Sequence, residues 1–201
     1  AANSVYGATD EAYIADIYYA ASAQIVAKAA EVLGLEETRQ EYQKIADRQW
    51  QVVKEEYFTA TGRCAVKTQT GLILALKYHL SENEELTKQM LQKLLRDNKN
   101  KLNTGFVGTP LLCNVLTDHG MTDAAYRLLL NEEYPGWLHE VKLGATTVWE
   151  RWNSLDESGH VSSTGMNSLN HYSYGAILEW IFRHAAGILS LIHISEPTRP
   201  Y

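Results

Sequence analysis

The sequence has few cysteines and prolines, and it has neither a long apolar run nor a cluster of basic residues. Its two cysteines, Cys64 and Cys113, form no CxxC pair and no group with the spacing of metal ligands. This pattern argues against a disulfide framework or a zinc site and predicts two buried thiols. No stretch approaches the roughly 20 apolar residues that a membrane-spanning helix requires, so we expect no membrane partner.

Basic residues are fewer than acidic ones. The 201 residues carry 18 Lys and Arg against 24 Asp and Glu, a formal net charge of −6. Because no run of Lys and Arg could neutralise a row of phosphates, nucleic acid is not an expected partner. A hydrophobic fraction of 45% predicts one soluble globular domain.

The two ends of the sequence differ from the part between them. No Met and no leader precede Ala1, and we expect a processed chain or, preferably, one that begins inside a longer protein. Residues 189–201 hold two of the four prolines and lose the helical period. They resemble a translated sequencing adapter rather than a natural extended tail, so residues 1–188 alone are used for fold and function.

Helical periodicity dominates residues 1–188, and convincing strand alternation is absent, which predicts an all-α fold. Apolar helices alternate with amphipathic ones across short turns, which is typical of helical hairpins with inner and outer helices. A ring of six such hairpins is an (α/α)6 barrel of twelve helices, and seven helices would make a partial barrel, truncated at both ends. Periodicity alone does not distinguish this from an α-solenoid. The predicted helices cover residues 10–33, 36–58, 68–80, 84–97, 109–119, 122–131 and 171–186.

The loop predicted between residues 134 and 168 concentrates residues that could bind a sugar. Three of the five tryptophans, Trp137, Trp149 and Trp152, lie within it. Flat apolar faces with polar groups at their edges suit a sugar ring, whose C–H faces stack on indole. The alternative is that these tryptophans only pack the loop onto the helices.

Glu150 is the most prominent carboxylate of this loop, because Trp149 and Trp152 bracket it and could hold it in a defined orientation. The alternative is a capping box, since Thr147 and Glu150 have the S/T-x-x-E spacing. The rival carboxylates are Glu140, Asp156 and Glu157.

His171 opens the last predicted helix, where a side chain can point into a cleft. No histidine has a partner at metal-ligand spacing, so we expect neither a metal nor a cofactor. The sequence also lacks GxSxG, P-loop and dinucleotide-binding glycine patterns, which argues against a serine hydrolase, a nucleotidase and a nicotinamide enzyme.

Five strings in a fixed order resemble the catalytic domain of bacterial α-L-rhamnosidases of glycoside hydrolase family 78. They are TQTGLILAL at residues 68–76, LNTGFVGTPLLCNVL at 102–116, AYRLLLNEEYPGWL at 125–138, GATTVWERW at 144–152 and MNSLNHYSYGAILEW at 166–180. The resemblance spans nearly all of residues 1–188. It implies an (α/α)6 barrel that hydrolyses terminal α-L-rhamnosyl linkages with inversion, and hence a rhamnose-containing glycoside as the substrate.

The resemblance also implies roles for single residues. Glu150 falls on the family's general base, and His171 lines the sugar subsite, whereas the tryptophans are weaker candidates for sugar contact. The general acid is expected upstream of Ala1, so residues 1–188 alone should be inactive. Two alternatives stay open: another (α/α)6 glycosidase or lyase, and a helical module that binds glycans without cleaving them. The compartment stays open between the cytoplasm and the periplasm or exterior of a bacterium.

Overall fold

The computed structural model describes residues 8–156, 158–162 and 165–188. The predicted foreign tail, residues 189–201, and the rival carboxylate Glu157 lie outside this description. The chain divides into two compact units, Ala1–Leu94 and Leu95–Tyr201. The helices are α1 (Glu11–Val32), α2 (Glu36–Tyr57), α3 (Gln69–Lys77), α4 (Glu84–Asp97), α5 (Thr109–Asp118), α6 (Thr122–Leu129), α7 (Trp137–Lys142) and α8 (Ile177–Trp180).

The first unit is built around α1 and α3. Asp10 caps α1 by accepting a hydrogen bond from the Tyr13 N–H at 2.9 Å, and Thr68 caps α3 through the Gly71 N–H at 3.0 Å. α1 packs against both α2 and α3, and the buried Tyr13 hydroxyl donates to the Gly71 carbonyl at 3.0 Å. Every residue from Gln69 to Leu76 is buried, whereas α2 buries only Ala46 and Val53. α3 is therefore an inner helix and α2 an outer one.

The second unit is built around α5, which packs against α6, α8 and the 3₁₀ turn at Ser173–Ala176. Gly120, with a positive φ of 77°, forms the turn between α5 and α6, where glycine avoids the strain that a side chain would cause. The two thiols are buried as predicted, and burial raises the pKa of Cys113 to about 12.

The all-α prediction is confirmed, and α1 to α6 lie where the sequence predicts them, with ends that differ by at most three residues. In the described residues there is no β-strand, only two isolated bridges. None of the helices in that part of the chain is long and apolar enough to cross a membrane.

Two local predictions are wrong. The predicted loop contains α7, whose six residues are too few for a helical period to be recognised in the sequence. The last predicted helix is a succession of the 3₁₀ turn at Ser173–Ala176, α8 and a π-helical turn at Ile181–Ala185. His171 consequently lies before the helix rather than inside its first turn.

Candidate active site

Glu150 lies on an irregular segment that is paired with a second segment farther along the loop. The Glu150 N–H donates to the Ser168 carbonyl at 2.9 Å, and the Ser168 N–H donates to Glu150 Oε2 at 2.8 Å. The His171 N–H donates to the Val148 carbonyl at 2.7 Å. The carboxylate of Glu150 and its backbone are therefore both held by the segment that contains Ser168.

The capping-box interpretation of Glu150 is wrong. No helix begins after Thr147, since residues 145–156 are non-helical. The Thr147 hydroxyl instead donates to the Leu169 carbonyl, and Glu150 binds a peptide N–H 18 residues downstream. The S/T-x-x-E spacing is present, but the chain uses both side chains to join two parts of the loop.

The Glu150 carboxylate is only partly buried and is anchored at one oxygen. Among the described residues, Oε1 has no hydrogen-bond partner in the protein. A carboxylate with one oxygen fixed and the other open can accept a proton from a small molecule in a defined direction.

The loop around Glu150 is braced by Ser154, which is fully buried. Its hydroxyl accepts a hydrogen bond from the Arg151 N–H at 3.1 Å and donates to Asn167 Oδ1 at 2.6 Å. The Asn167 amide donates in return to the Ser154 carbonyl at 2.9 Å. These bonds close the turn that follows Glu150 and tie it to the segment that carries Ser168.

The tryptophans of the loop are buried. Trp137 is 7% exposed, Trp149 3% and Trp152 1%. Trp152 stacks on Tyr174 with 4.0 Å between ring centroids, and Trp137 meets Trp152 edge to face at 5.4 Å. The indole N–H groups of Trp137 and Trp152 donate to the carbonyls of Tyr174 and Thr104 at 2.9 and 3.0 Å. Such burial favours a rigid wall of the site over direct sugar contact.

His171 is joined to this buried cluster by Phe106, a residue that the sequence reasoning missed. The Phe106 ring stacks on His171 at 5.2 Å with 9° between the planes, and it also contacts Tyr174 at 5.6 Å. Tyr172 stacks on His171 as well, at 5.0 Å. His171 Nδ1 accepts the Ser173 N–H at 3.3 Å, which leaves Nε2 as the donor of the neutral ring. Phe106 is 48% exposed, so this end of the aromatic cluster reaches the surface of the unit.

Glu140 on α7 has a different environment from Glu150. It is 3% exposed, and among the described residues its Oε1 has no hydrogen-bond partner. Burial raises the pKa of Glu140 to about 8. Glu140 is therefore a neutral carboxylic acid below that pH.

Asp156, the other rival within the described residues, is engaged in a local turn. Its Oδ1 accepts the N–H groups of Ser158 and His160, both at 2.9 Å. This is the ordinary turn-forming use of an aspartate. No group of three or more His, Cys, Asp and Glu residues able to hold a metal exists in the part of the chain that the structure describes.

The chain was compared with known protein families. The family model of the bacterial alpha-L-rhamnosidase 6 hairpin glycosidase domain matches residues 2–185. The chain belongs to this family. The resemblance found in the sequence is thereby confirmed, and the six-hairpin architecture favours the (α/α)6 barrel over the solenoid.

Individual rhamnosidases support this membership. An alpha-L-rhamnosidase of Formosa agariphila is 41% identical over 188 residues, which cover 92% of this chain and 20% of that protein. The crystal structure of Streptomyces avermitilis alpha-L-rhamnosidase complexed with L-rhamnose superimposes with a TM-score of 0.83 at 34% identity, over 92% of this chain and 18% of that one. Native alfa-L-rhamnosidase from Aspergillus terreus gives a TM-score of 0.83 at 31% identity, over 88% and 21%. The chain thus spans about a fifth of the length of the rhamnosidases it matches.

Proposed function

We propose that the protein containing this chain hydrolyses terminal α-L-rhamnosyl linkages and that Glu150 is the general base of the reaction. The relatives that carry the name alpha-L-rhamnosidase support the substrate class, as does the L-rhamnose bound in the Streptomyces avermitilis structure. Because the chain covers a fifth of these relatives, the complete protein supplies the rest of the site.

The mechanism proposed is a single displacement with inversion at the anomeric carbon. Glu150 Oε1 removes a proton from a water molecule, and the water oxygen forms a bond to the anomeric carbon as the bond to the leaving oxygen breaks. A carboxylic acid on the opposite side of the ring protonates that oxygen. We propose that this acid lies outside the chain, as the family resemblance implies.

The observation that carries this assignment is the anchoring of Glu150 at one oxygen by the Ser168 N–H. A donor at Oε2 orients the carboxylate without occupying Oε1, so the lone pair of Oε1 can be directed at a water. Neither of the two rivals that the structure describes has this setting, because Asp156 is used by its own turn and Glu140 is buried.

His171 is proposed to line the sugar subsite, with Nε2 as a hydrogen-bond donor to a sugar hydroxyl. Trp149, Trp152 and Trp137 are proposed to shape the wall behind it, since burial leaves their ring faces little surface for a ligand. No metal or cofactor takes part in this proposal.

The test compares the wild type with Glu150→Gln in the complete reading frame that encodes this chain, with an aryl α-L-rhamnoside as substrate. We expect kcat to fall about 10³-fold with KM little changed, because the amide cannot accept the proton of the water. Asp156→Asn is the matched control and should keep its activity. Proton NMR of the first product should show the β-anomer of L-rhamnose, as inversion requires.

Other outcomes separate the alternatives. Activity on a different aryl glycoside in a panel would indicate another glycosidase of this fold. A wild type that binds L-rhamnose without turnover, and a Glu150→Gln variant that binds it equally well, would indicate a binding module. Glu150→Gln with full kcat would refute the base assignment.

A further inference from the structure

Phe106 presents an apolar surface beside the residue that is proposed to bind the sugar. Its ring stacks on His171 with 5.2 Å between the ring centroids and 9° between the planes, and Phe106 is 48% exposed. Because carbon atoms in contact lie about 3.5–4.0 Å apart, a centroid distance of 5.2 Å means that the two rings are offset. The imidazole therefore covers only part of the Phe106 face, and the exposed part is available to a ligand.

The turn that carries Phe106 is fixed against the segment of the proposed base. The Thr104 carbonyl accepts the indole N–H of Trp152 at 3.0 Å, and Trp152 stands two residues after Glu150. The hydroxyl groups of Thr104 and Thr109, both buried, are hydrogen-bonded at 2.8 Å and close the turn. Phe106 is thus held in the candidate active site by contacts other than its own stacking on His171.

The near-parallel planes of the two rings relate a bound hydroxyl group to the Phe106 surface. His171 Nδ1 accepts the Ser173 N–H, so the donor of the neutral ring is Nε2, whose N–H lies in the imidazole plane. A sugar hydroxyl that accepts from Nε2 lies in the same plane, and therefore about one contact distance from the plane of the phenyl ring. A carbon substituent next to that hydroxyl can then rest on the exposed part of Phe106.

L-rhamnose has one apolar substituent of this kind. It is a 6-deoxy sugar, so its C5 atom carries a methyl group where L-mannose carries a hydroxymethyl group. The neighbouring C4 atom carries a hydroxyl group that can accept from His171 Nε2. A phenyl surface favours the methyl group, because a hydroxymethyl group would lose hydrogen bonds to water there without gaining a partner.

We propose that Phe106 binds the methyl group of the terminal L-rhamnosyl unit and thereby sets the preference for a 6-deoxy sugar. This inference rests on the proposed function, in which His171 lines the sugar subsite. Tyr172 also stacks on His171, but it is 86% exposed, whereas Phe106 contacts Tyr174 of the buried cluster as well. The more firmly held ring loses less conformational entropy when it meets a ligand.

The test measures the ratio of two kcat/KM values on one preparation of the complete protein, so that the folded fraction cancels. The substrates are an aryl α-L-rhamnopyranoside and the aryl α-L-lyxopyranoside, which has the same ring hydroxyls and no methyl group. A methyl group in an apolar contact changes such a ratio by about 10- to 200-fold. We therefore expect the wild type to prefer the rhamnoside by about tenfold or more.

Two isosteric replacements separate the methyl contact from the orientation of His171. Phe106→Leu and Phe106→Asn both remove the stacked ring, so both should lower kcat/KM for either substrate. Leu keeps an apolar surface, and the ratio for this variant should stay within about threefold of the wild type. Asn places an amide at the same position, and its ratio should fall about tenfold. Tyr172→Asn is the matched control on the other ring and should keep the wild-type ratio.

The aryl α-L-mannopyranoside tests the same contact from the opposite side. Its hydroxymethyl group can bond with the amide of Phe106→Asn but not with a phenyl or isobutyl group. Among the wild type and the two Phe106 variants, Phe106→Asn should therefore show the highest kcat/KM for the mannoside relative to the rhamnoside. If Phe106→Asn does not fold, Phe106→Val and Phe106→Thr make the same comparison with side chains of similar shape.

Equal ratios for the apolar and the polar replacement would overturn the inference, and so would a wild type that cleaves the lyxoside as well as the rhamnoside. A ratio that falls in Tyr172→Asn and not in Phe106→Asn would assign the methyl contact to Tyr172 instead. Failure of the proposed function looks different, because then the wild type would not cleave the rhamnoside. Calorimetric titration with free L-rhamnose and L-lyxose would in that case test the same preference from the two binding constants.

Discussion

The buried carboxyl group of Glu140 predicts a stability that depends on pH in an unusual direction. Its pKa is raised from an ordinary 4.5 to about 8, so the folded protein holds this proton more strongly than the unfolded chain does. Folding then takes up a proton between pH 4.5 and 8, and the contribution of Glu140 to the free energy of unfolding falls as the pH rises through this window. Because Glu140→Gln has no proton to take up, its free energy of unfolding does not fall for this reason as the pH rises.

The size of the effect follows from the shift. One pKa unit corresponds to about 1.36 kcal/mol, so a shift of about 3.5 units gives at most about 5 kcal/mol, reached above about pH 9. Between pH 5 and 7.5 the free energy of unfolding of Glu140→Gln should rise relative to the wild type by about 3 kcal/mol. Because the comparison is between two variants at the same pH, the other titrating groups largely cancel.

The assay is urea unfolding of the complete protein and of Glu140→Gln at several pH values, followed by tryptophan fluorescence. Glu133→Gln is the control of opposite sign, since a hydrogen bond from Lys101 at 2.8 Å lowers the pKa of this exposed carboxylate. Its variant should lose a little stability, relative to the wild type, as the pH rises through the acidic range. A difference between Glu140→Gln and the wild type that does not change between pH 5 and 7.5 would refute the reasoning.

Two further predictions concern the aromatic cluster. Phe106→Leu removes the ring that stacks on His171, and a contact worth about 0.5–1.5 kcal/mol should lower kcat/KM for an aryl α-L-rhamnoside by about 2- to 13-fold; an unchanged value would show that other contacts orient His171. Trp152→Phe leaves the Thr104 carbonyl without its indole donor and should destabilise the protein by about 1–3 kcal/mol in urea unfolding, and an unchanged midpoint would contradict this.

The sequence predicts the long helices well because their apolar faces repeat over several turns. α1 and α3 also carry their caps in the sequence, at Asp10 and Thr68. α7 has the same physical character, but its six residues complete fewer than two turns, so its period is not distinguishable from a loop.

The sequence singles out candidate site residues, but it does not reveal the contacts that hold them. Glu150 stands out in the sequence, yet its partner is the Ser168 peptide 18 residues away, which no local spacing encodes. The same holds for Phe106, which meets His171 only in the folded unit, although it stands in one of the strings that carry the resemblance. Glu140 was visible only as a rival carboxylate of the loop, and its burial depends on how α7 packs.

The pairing of residues 147–150 with residues 168–171 has a consequence for recombination between homologous genes. The peptide that anchors Glu150 and the brace formed by Ser154 and Asn167 lie between α7 and the 3₁₀ turn. A crossover outside this stretch transfers the carboxylate together with these supports as one cassette. A crossover between residues 154 and 167 joins the carboxylate of one parent to the anchoring peptide of the other. Chimeras of divergent parents should therefore keep the geometry around Glu150 in the first case and lose it in the second.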